Sequence, residues 1–448
     1  MSHLPGATLA STRPQGRLVA AAALGLACLA APEAHAAPGW GAVRVLQGTF
    51  AVSSTPEAPL VGMNGAGEAI YAWNATGAVR TAGRLADGSW SASRTVPGGT
   101  AAAGPLAVAI GRGGVAAVAW TTVATRYVPS QLLVSLRPAG GSFGAPVEIA
   151  PGTVAGAIRL GVDCAGTVTA LWTDSRGVSA ATLPGAPASA GACSGTPGTG
   201  PWSAVAQVST PHASASLAEL AVNDAGDTLA VWQEGAPGAP SAIVAALRPA
   251  GSPWQAAATV SAPTARPVWN PRPGLDARGG AAVGYVDGSA MAVVRRTAGG
   301  AWQAPEAVSG SHQVQIPALA VGDAGEVLAA WLAIDPATGQ TAVWQRMLSG
   351  GTWGAELRLS ARSEAPAMPS AAMSGDASLA VVTWTDDNSL SARSSTLQAG
   401  AWTRQTLGPA YWGGTVSSAA GGGRASTGWA RVVNGNPNAA QLVGRGTP

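Results

Sequence analysis

Short apolar segments alternate with turns rich in Gly, Pro, Asp and Ser along the chain, and this alternation repeats eight times. The clearest copy runs from Val222 to Trp232, where an Asp-Ala-Gly turn precedes an apolar strand that ends in Trp. An aromatic residue ends the matching segment of every copy, at intervals of 45 to 60 residues: Trp73, Trp120, Trp172, Trp232, Tyr285, Trp331, Trp384 and Trp429. A repeat of this length predicts units stacked into one body rather than separate domains.

A second aromatic residue opens the latter half of each unit, ahead of one more short apolar strand. This position is held by Trp90, Phe143, Trp202, Trp254, Trp302, Trp353 and Trp402. One further copy, starting at Trp40, lies near the N-terminus without a first half, and the unit ending at Trp429 has no second half after it. The two incomplete units complete each other, as they would in a closed ring.

Each unit contains four short strands, A to D, which is typical of a β-propeller blade. We predict an all-β fold: an eight-bladed β-propeller with four antiparallel strands per blade, whose last blade is closed by the N-terminal strand. The predicted domain spans residues 37–448. The A–B and C–D turns then lie on one face, which we name the bottom face, and the B–C and D–A connections lie on the top face. The aromatic residues at the ends of the B strands are expected to fill the wedges between blades.

The N-terminus has the pattern of an export signal. Two arginines precede an apolar run from Leu18 to Ala31, and a small-x-small cleavage site ends at Ala36. This pattern predicts a Sec signal peptide over residues 1–36, followed by a secreted or periplasmic chain. The run is shorter than a bilayer-spanning helix, so no membrane span is predicted. A lipoprotein anchored at Cys28 is the alternative.

Two cysteines remain beyond this signal. Cys164 lies in the A–B turn of the third blade, and Cys193 lies in the long C–D segment of the same blade. Both are therefore predicted on the bottom face, and export permits their oxidation. We predict a Cys164–Cys193 disulfide; a reactive thiol or a metal-binding pair is the alternative.

Charge and motifs exclude several classes of function. The net charge is only +3, and the basic residues are scattered rather than arranged in a stripe, so no nucleic-acid partner is predicted. The sequence shows no nucleophile elbow, phosphate loop or zinc-ligand spacing. We therefore expect no cofactor, no metal and no catalysis, and we expect a monomer.

Acidic residues recur at two positions of the repeat. The A–B turns contain Asp163, Asp224, Asp276, Asp323 and Asp376. An Asp in such a turn commonly accepts hydrogen bonds from its own backbone, so these residues are expected to be structural. The top-face ends of the B strands carry Asp174, Glu234, Asp287 and Asp386. These carboxylates either bind a cation or a cationic ligand, or are ordinary solvated charges.

The D–A connections differ most between units and form the predicted recognition surface. Trp269 and Trp412 belong to neither aromatic column and lie among polar side chains, an arrangement typical of a platform on which a sugar ring stacks. The predicted ligand contacts are Trp269, Trp412, Tyr411, Arg266, Arg272 and His312. Alternatively, these side chains plug the channel or cover strand ends.

The repeat Asp-Ala-Gly-x-x-x-Ala-x-Trp, together with Ala-Leu-Arg-Pro-Ala-Gly-x-x-Trp around Arg248, resembles exported bacterial propeller proteins of the sialidase-like, or BNR-repeat, superfamily. The resemblance covers about residues 40–445 and implies the propeller fold. The sequence departs from the sialidase Asp-box, in which Trp follows Gly by three positions, because Trp232 follows Gly226 by six. The quinoprotein docking motif is missing, and the motif of fucose-binding lectins matches only loosely. No catalytic residue of sialidases can therefore be assigned here.

Three functional hypotheses follow. The first is an exported binding protein that recognises a glycan or a protein through its top-face loops. The second is a sialidase-like glycoside hydrolase or lyase that uses top-face carboxylates such as Glu364 and Asp386. The third is a structural envelope scaffold without a small ligand.

Overall fold

The computed structural model describes residues 39–448, except 53–55, 76, 101, 123, 125–128, 152–155, 187–191, 212–213, 236–240, 263–265, 311–312 and 337. The predicted signal peptide over residues 1–36 and the lipoprotein alternative at Cys28 lie outside these ranges. Among the described residues, no helix is long and apolar enough to cross a membrane.

The described chain forms eight antiparallel sheets, each a blade, and this confirms the predicted architecture. The N-terminal strand is β1 (Arg44–Ala51), which belongs to blade 8. Blade 1 contains β2 (Leu60–Met63), β3 (Ala69–Ala75), β4 (Ala78–Arg84) and β5 (Arg94–Thr100). Blade 2 contains β6 (Ala102–Ile110), β7 (Ala116–Thr122), β8 (Gln131–Arg137) and β9 (Val147–Pro151). Blade 3 contains β10 (Ile158–Val162), β11 (Val168–Asp174), β12 (Gly177–Leu183) and β13 (Ala206–Gln207).

In every blade the strands are given in order from the central channel outwards. Blade 4 contains β14 (Ala215–Val222), β15 (Thr228–Glu234), β16 (Ala242–Arg248) and β17 (Ala258–Thr259). Blade 5 contains β18 (Val268–Leu275), β19 (Ala281–Asp287), β20 (Ala290–Arg296) and β21 (Glu306–Ala307). Blade 6 contains β22 (Gln313–Val321), β23 (Val327–Ile334), β24 (Thr341–Ser349) and a divided outer strand, β25 (Thr352–Trp353) and β26 (Leu357–Arg358). Blade 7 contains β27 (Pro366–Met373), β28 (Leu379–Asp386), β29 (Ser391–Gln398) and β30 (Ala401–Pro409). Blade 8 contains β31 (Val416–Gly421), β32 (Arg424–Val433), β33 (Asn436–Gly446) and β1.

The two ends of the propeller close the ring as predicted. Strand β1 pairs antiparallel with β33, and the amide of Gly41 donates to the carbonyl of Gly446 at 2.9 Å. The indole of Trp40 donates to Ser394 Oγ of the neighbouring blade 7 at 3.0 Å. Because the N-terminal strand supplies the outer strand of a blade made otherwise from the C-terminus, neither end can separate without opening the ring.

The aromatic residues of the B strands fill the wedges between blades, which confirms the prediction. Each of them is at most 2% exposed. Trp232 packs against Leu171 and Val178 of the preceding blade, and Trp73 packs against Leu442 across the closure. Large rings among small Ala side chains therefore hold neighbouring sheets together around the whole ring.

The outer strands are shorter in blades 3 to 6 than the apolar pattern predicts. In blade 5 the sequence predicts a strand from Trp302 to Val308, whereas β21 contains only two residues. Pro305 precedes β21 and has no N–H to donate to a neighbouring strand. Trp302 is instead half-buried, with the guanidinium of Arg296 over its ring at 5.8 Å.

The predicted disulfide is confirmed, with a Cα–Cα distance of 4.5 Å between Cys164 and Cys193, and it excludes the free-thiol and metal-pair alternatives. It holds the C–D segment of blade 3 on the bottom face. There Ala139 of blade 2 donates its amide to the carbonyl of Gly195 at 2.8 Å, and the amide of Cys164 donates to the carbonyl of Asp224 in blade 4 at 3.1 Å. The disulfide therefore lies where three neighbouring blades meet.

The A–B turns contain the predicted side-chain caps, but the register of two turns is different. Asp163 accepts from the amide of Thr167 at 2.7 Å, and Asp276 accepts from that of Gly280 at 2.7 Å. In blade 4 the capping residue is Asn223, which accepts from the amide of Asp227 at 2.9 Å. Asp224 follows one position later and faces the channel opening, as Asp323 does in blade 6. Asp224 and Asp323 were predicted to cap their own turns, and this was wrong. They lie two residues before the turn glycine, whereas the capping residues Asp163, Asn223 and Asp276 lie three residues before it.

Candidate ligand-binding site on the top face

A cavity opens on the top face beside the closure of the ring. This seam cavity measures about 690 Å³ and is lined by residues that include Phe50, Glu57, Trp73, Asn74 and Thr415. Its size falls in the range of ligand-binding pockets in proteins. Val52 and the segment from Pro56 to Ala58, between β1 of blade 8 and β2 of blade 1, form one wall.

The lining of the seam cavity combines aromatic and polar groups. Phe50 is half-buried, whereas Glu57, Asn74 and Thr415 are exposed. Trp73 is 2% exposed and donates its indole N–H to Gln47 Oε1 at 2.5 Å. The cavity therefore offers a carboxylate, an amide and a hydroxyl to a ligand above a fixed apolar floor. Sequence reasoning missed these residues because the search for contacts was confined to the later D–A connections.

Trp412 lies near this cavity, on the connection from blade 7 to blade 8 that also carries Thr415. It is 64% exposed, and it is the single exposed residue among the 17 tryptophans of the chain, all of which the structure describes. Every other tryptophan packs in a wedge, at a blade edge or against a neighbouring strand. Trp412 therefore keeps a large apolar surface in water, which the fold itself does not require.

The backbone around Trp412 is well fixed. The amide of Gly414 donates to the carbonyl of Tyr411 at 3.0 Å, which closes a tight turn with Trp412 at its tip. Gly413 has a φ of +62° in this turn, a conformation that a residue with a side chain adopts at a cost. Its amide donates to Asp387 Oδ1 at 3.0 Å. The exposed indole is thus presented by a rigid turn.

Tyr411 is half-buried and contributes to the floor rather than to the open surface. Its ring packs with the cluster that contains Trp73, Leu46 and Leu442, and its amide donates to the carbonyl of Ala430 at 2.9 Å. Of the predicted contacts, Tyr411 therefore packs against the lining of the seam cavity, and Trp412 follows it on the connection that carries Thr415.

Trp269 lies in strand β18, not in an irregular loop as the sequence predicted. It is half-buried and packs against the cluster that contains Val286 and Val314. The segment predicted as a connection is an inner strand from Val268 onwards. Trp269 is half-buried because this strand places it against apolar residues of blade 6. Trp269 is thus two blades away from the connection that carries Trp412, and the two side chains do not share the seam cavity.

The other predicted contacts are distributed around the face. Arg266 is exposed and lies over Gly288, where a Cβ would come within 3.0 Å of its Cδ. Arg272 lies in β18 and faces the central channel. His312 lies outside the described residues. The five described residues of the predicted set therefore do not lie together in the seam cavity.

Two of the four carboxylates at the ends of the B strands are acceptors for buried indoles. Asp174 accepts from the indole of Trp172 at 3.1 Å, and Glu234 accepts from that of Trp232 at 2.8 Å. In a strand, residues two apart point to the same side, so the carboxylate meets the ring that precedes it. For these two residues the structure shows a structural role that neither sequence-based alternative included.

Glu364 and Asp386, the carboxylates of the hydrolase hypothesis, are buried at 5% and 2% exposure. Glu364 accepts from the indole of Trp384 at 3.2 Å. Arg393 pairs with Asp386 at 3.1 Å. Burial alone would raise the pKa of Asp386, but hydrogen bonds from Ser389, the Ala365 amide and Arg393 outweigh it and hold the pKa below its usual range. Both side chains are thus engaged in contacts within blade 7.

The bottom opening of the channel is acidic. It is lined by Asp224, Asp323 and Asp376, with Arg112 paired to Asp224 at 3.2 Å. Burial and the neighbouring charge of Asp224 raise the pKa of Asp323. No group of three or more His, Cys, Asp or Glu side chains with metal-binding geometry occurs in the described part of the chain.

Comparison with known proteins supports the architecture. No protein-family model and no curated protein matches the sequence. Solved structures do match the fold. The BP39L lectin from Burkholderia pseudomallei is 15% identical with a TM-score of 0.53, and the match covers 80% of this chain and 100% of the lectin. The polysaccharide lyase Uly1 is 8% identical with a TM-score of 0.47 over 90% of this chain and 99% of the lyase. Virginiamycin B lyase from Staphylococcus aureus is 10% identical with a TM-score of 0.44 over 77% and 95% of the two chains. At 15% identity the likeness to the lectin shows the fold alone.

Proposed function

We propose that the protein is an exported, non-catalytic β-propeller that binds a glycan at the seam cavity on its top face. The observation that carries this proposal is Trp412, the one tryptophan that the fold leaves in water. An aromatic face held on a rigid turn stacks well on the apolar face of a sugar ring. The lectin with a similar fold is consistent with the proposal but does not assign a ligand to this chain.

The polar groups of the seam cavity match the requirements of a sugar. Glu57, Asn74 and Thr415 line the cavity and are exposed, and together they supply acceptors and donors for hydroxyl groups. A protein ligand would favour a larger and flatter surface with several apolar anchors. Trp412 is instead the single exposed aromatic side chain among the described residues, which favours the glycan over the protein.

Export is part of the same proposal. The disulfide on the bottom face fits an oxidising compartment, and the N-terminal pattern predicts a signal peptide. Glu364 and Asp386 support the absence of catalysis, because both are buried and engaged in hydrogen bonds within the blade.

Trp412→Ala tests the proposal. A glycan array with wild-type protein identifies a ligand, and calorimetry then measures its affinity for wild-type protein and for the variant. We expect Trp412→Ala to weaken binding by at least about tenfold, equivalent to about 1.4 kcal/mol, without a change in stability. Leu85→Ala is the matched control, because it removes an exposed apolar side chain from the bottom face.

Two results would contradict the proposal. One is an array without any bound glycan; the other is a glycan that Trp412→Ala binds as tightly as wild-type protein does. Hydrolysis of fluorogenic glycosides that is lost in Glu364→Gln would instead identify a glycoside hydrolase.

A further inference from the structure

The inner strands of blades 3, 4 and 5 place three charged side chains together in the central channel. Arg159 of β10 donates from Nε and Nη2 to the two carboxylate oxygens of Glu219 in β14, at 2.6 and 2.7 Å. Arg272 of β18 donates from Nη1 to Glu219 Oε1 at 2.7 Å. We name these three residues the channel triad. One carboxylate is shared by two guanidinium groups, so the triad carries one uncompensated positive charge.

The channel triad retains unused hydrogen-bond donors. Each guanidinium has five N–H groups. Arg159 uses two on Glu219 and one on the carbonyl of Ile158, and Arg272 uses one on Glu219 and one on the carbonyl of Pro317. Two plus three donors, five in all, are therefore without a partner among the described residues. The side chains of Arg159 and Arg272 are 38% and 35% exposed, so these donors are open to the channel.

Bulges in the inner strands of blades 4 and 5 lie directly before two members of the channel triad. Leu217 and Asn270, each two residues before a member of the triad, have φ values of 52° and 56°. Both lie at bulges in their inner strands, and a bulge redirects the side chains that follow it. A left-handed conformation is unfavourable for a residue such as Leu, and such conformations are concentrated at functional sites. Met368 of blade 7 repeats this conformation and lines the channel.

The channel wall around the triad is apolar. The cavity measures about 470 Å³, and its lining includes Leu60, Leu106, Leu160, Ile316 and Met368. Glu219 is the single acidic residue of this lining, and both of its oxygens are already paired. A ligand that fits here has an anionic head for the two arginines and an apolar body for the wall.

We propose that the central channel is a second binding site, specific for an organic carboxylate with an apolar chain, which Arg159 and Arg272 hold through their free N–H groups. The planar guanidinium fork matches the geometry of a carboxylate, and the apolar wall of the channel suits the chain that such an acid carries. The channel and the seam cavity share Leu60, Leu106, Thr415 and Ser417 in their linings. The channel site goes beyond the proposed glycan site because its charged contacts, Arg159 and Arg272, lie in blades 3 and 5 and do not line the seam cavity.

Titration calorimetry with octanoate tests the channel site. We expect wild-type protein to bind octanoate, and to bind octanamide, which has the same chain without the charge, at least about tenfold more weakly. Arg272→Gln and Arg159→Gln are each expected to weaken octanoate binding at least about tenfold. Arg112→Gln is the matched control, because Arg112 lies at the bottom opening of the same channel and pairs with Asp224.

The two sites can be separated by their variants. Trp412→Ala is expected to leave octanoate affinity unchanged, so failure of the glycan proposal leaves this one intact. Thermal unfolding of Arg272→Gln and Arg159→Gln shows whether they fold; if one does not, Arg272→Lys, which keeps the charge but loses the fork, is expected to bind octanoate several-fold more weakly. The proposal is overturned if wild-type protein does not bind octanoate, if octanamide or acetate binds as tightly, or if Arg112→Gln loses the same affinity.

Discussion

The two faces of the propeller differ in how their turns are held. On the bottom face, turns of neighbouring blades bond to each other. Asn223 donates its side-chain amide to the carbonyl of Asp276 at 2.9 Å, and the amide of Asp323 donates to the carbonyl of Gly375 at 2.6 Å. On the top face, Glu57 and Asn74 line an open cavity, and Trp412 is exposed on the connection that carries Thr415. The bottom face therefore stabilises the ring, and the top face is left free to bind.

The largest test of this difference removes the disulfide from the bottom face. The bridge joins residues 29 apart in sequence, and loop-closure entropy for this separation predicts a loss of about 3–4 kcal/mol. We expect that loss in Cys164→Ser/Cys193→Ser, measured by denaturant unfolding without reductant. Trp412→Ala on the top face is expected to change stability by less than about 0.5 kcal/mol. A double cysteine variant as stable as wild-type protein would show that the bottom face does not depend on the bridge.

Asp386 is an exception to the difference between the two faces, because it lies on the top face but stabilises the fold through its hydrogen bonds. We expect Asp386→Asn to lose about 1.5–3 kcal/mol at neutral pH, the usual value of a hydrogen bond to a charged group. The folded protein lowers the pKa of Asp386, so its contribution is present above the ordinary aspartate pKa of about 3.9 and is lost as the pH falls through the lower folded value.

The measurement is the free energy of unfolding as a function of pH. The advantage of wild-type protein over Asp386→Asn is expected to shrink as the pH falls below that ordinary value. Asn74→Ala, an uncharged change on the same face, is the control and should run parallel to wild-type protein. An advantage that stays constant across the acid range would show that the charge of Asp386 does not stabilise the fold.

The fold was predictable from the sequence because the intervals between the repeated aromatic residues reveal the repeating unit. The period of the strand-end aromatics gave the number of blades, and the unpaired segments at Trp40 and Trp429 gave the closure. These features depend on local patterning repeated eight times, which averages out errors in any one unit. The Cys164–Cys193 pair followed from the same reasoning, because strand direction places both residues on one face.

The candidate site was only partly predictable. Trp412 was found because it breaks the aromatic pattern, but Trp269 breaks it too and proves to be half-buried against blade 6. A sequence shows that a residue is off-pattern, not whether a neighbouring blade covers it. The pairing of Arg159, Glu219 and Arg272 could not be predicted either, because it joins three blades and depends on bulges that shift β14 and β18 by one position.

The smallest expected effect compares two asparagines on opposite faces. Asn223 accepts from the amide of Asp227 at 2.9 Å and donates to the carbonyl of Asp276 at 2.9 Å, and it is 8% exposed. Asn74 is exposed and makes one long contact, to the carbonyl of Gly104 at 3.4 Å. Asn223→Ala is expected to lose about 1–2 kcal/mol, because it leaves backbone groups of two turns unpaired. Asn74→Ala is expected to lose less than about 0.5 kcal/mol.

Denaturant unfolding of the two variants measures this difference directly, since the substitution is the same and only the face changes. Binding is expected to show the reverse order of effects. Asn74→Ala should weaken binding of the glycan that the array identifies, whereas Asn223→Ala should leave that affinity unchanged. Equal stability losses in the two variants would remove the distinction between a stabilising and a binding face. The same stability result combined with the expected binding result would keep the glycan site and discard only the structural account of the bottom turns.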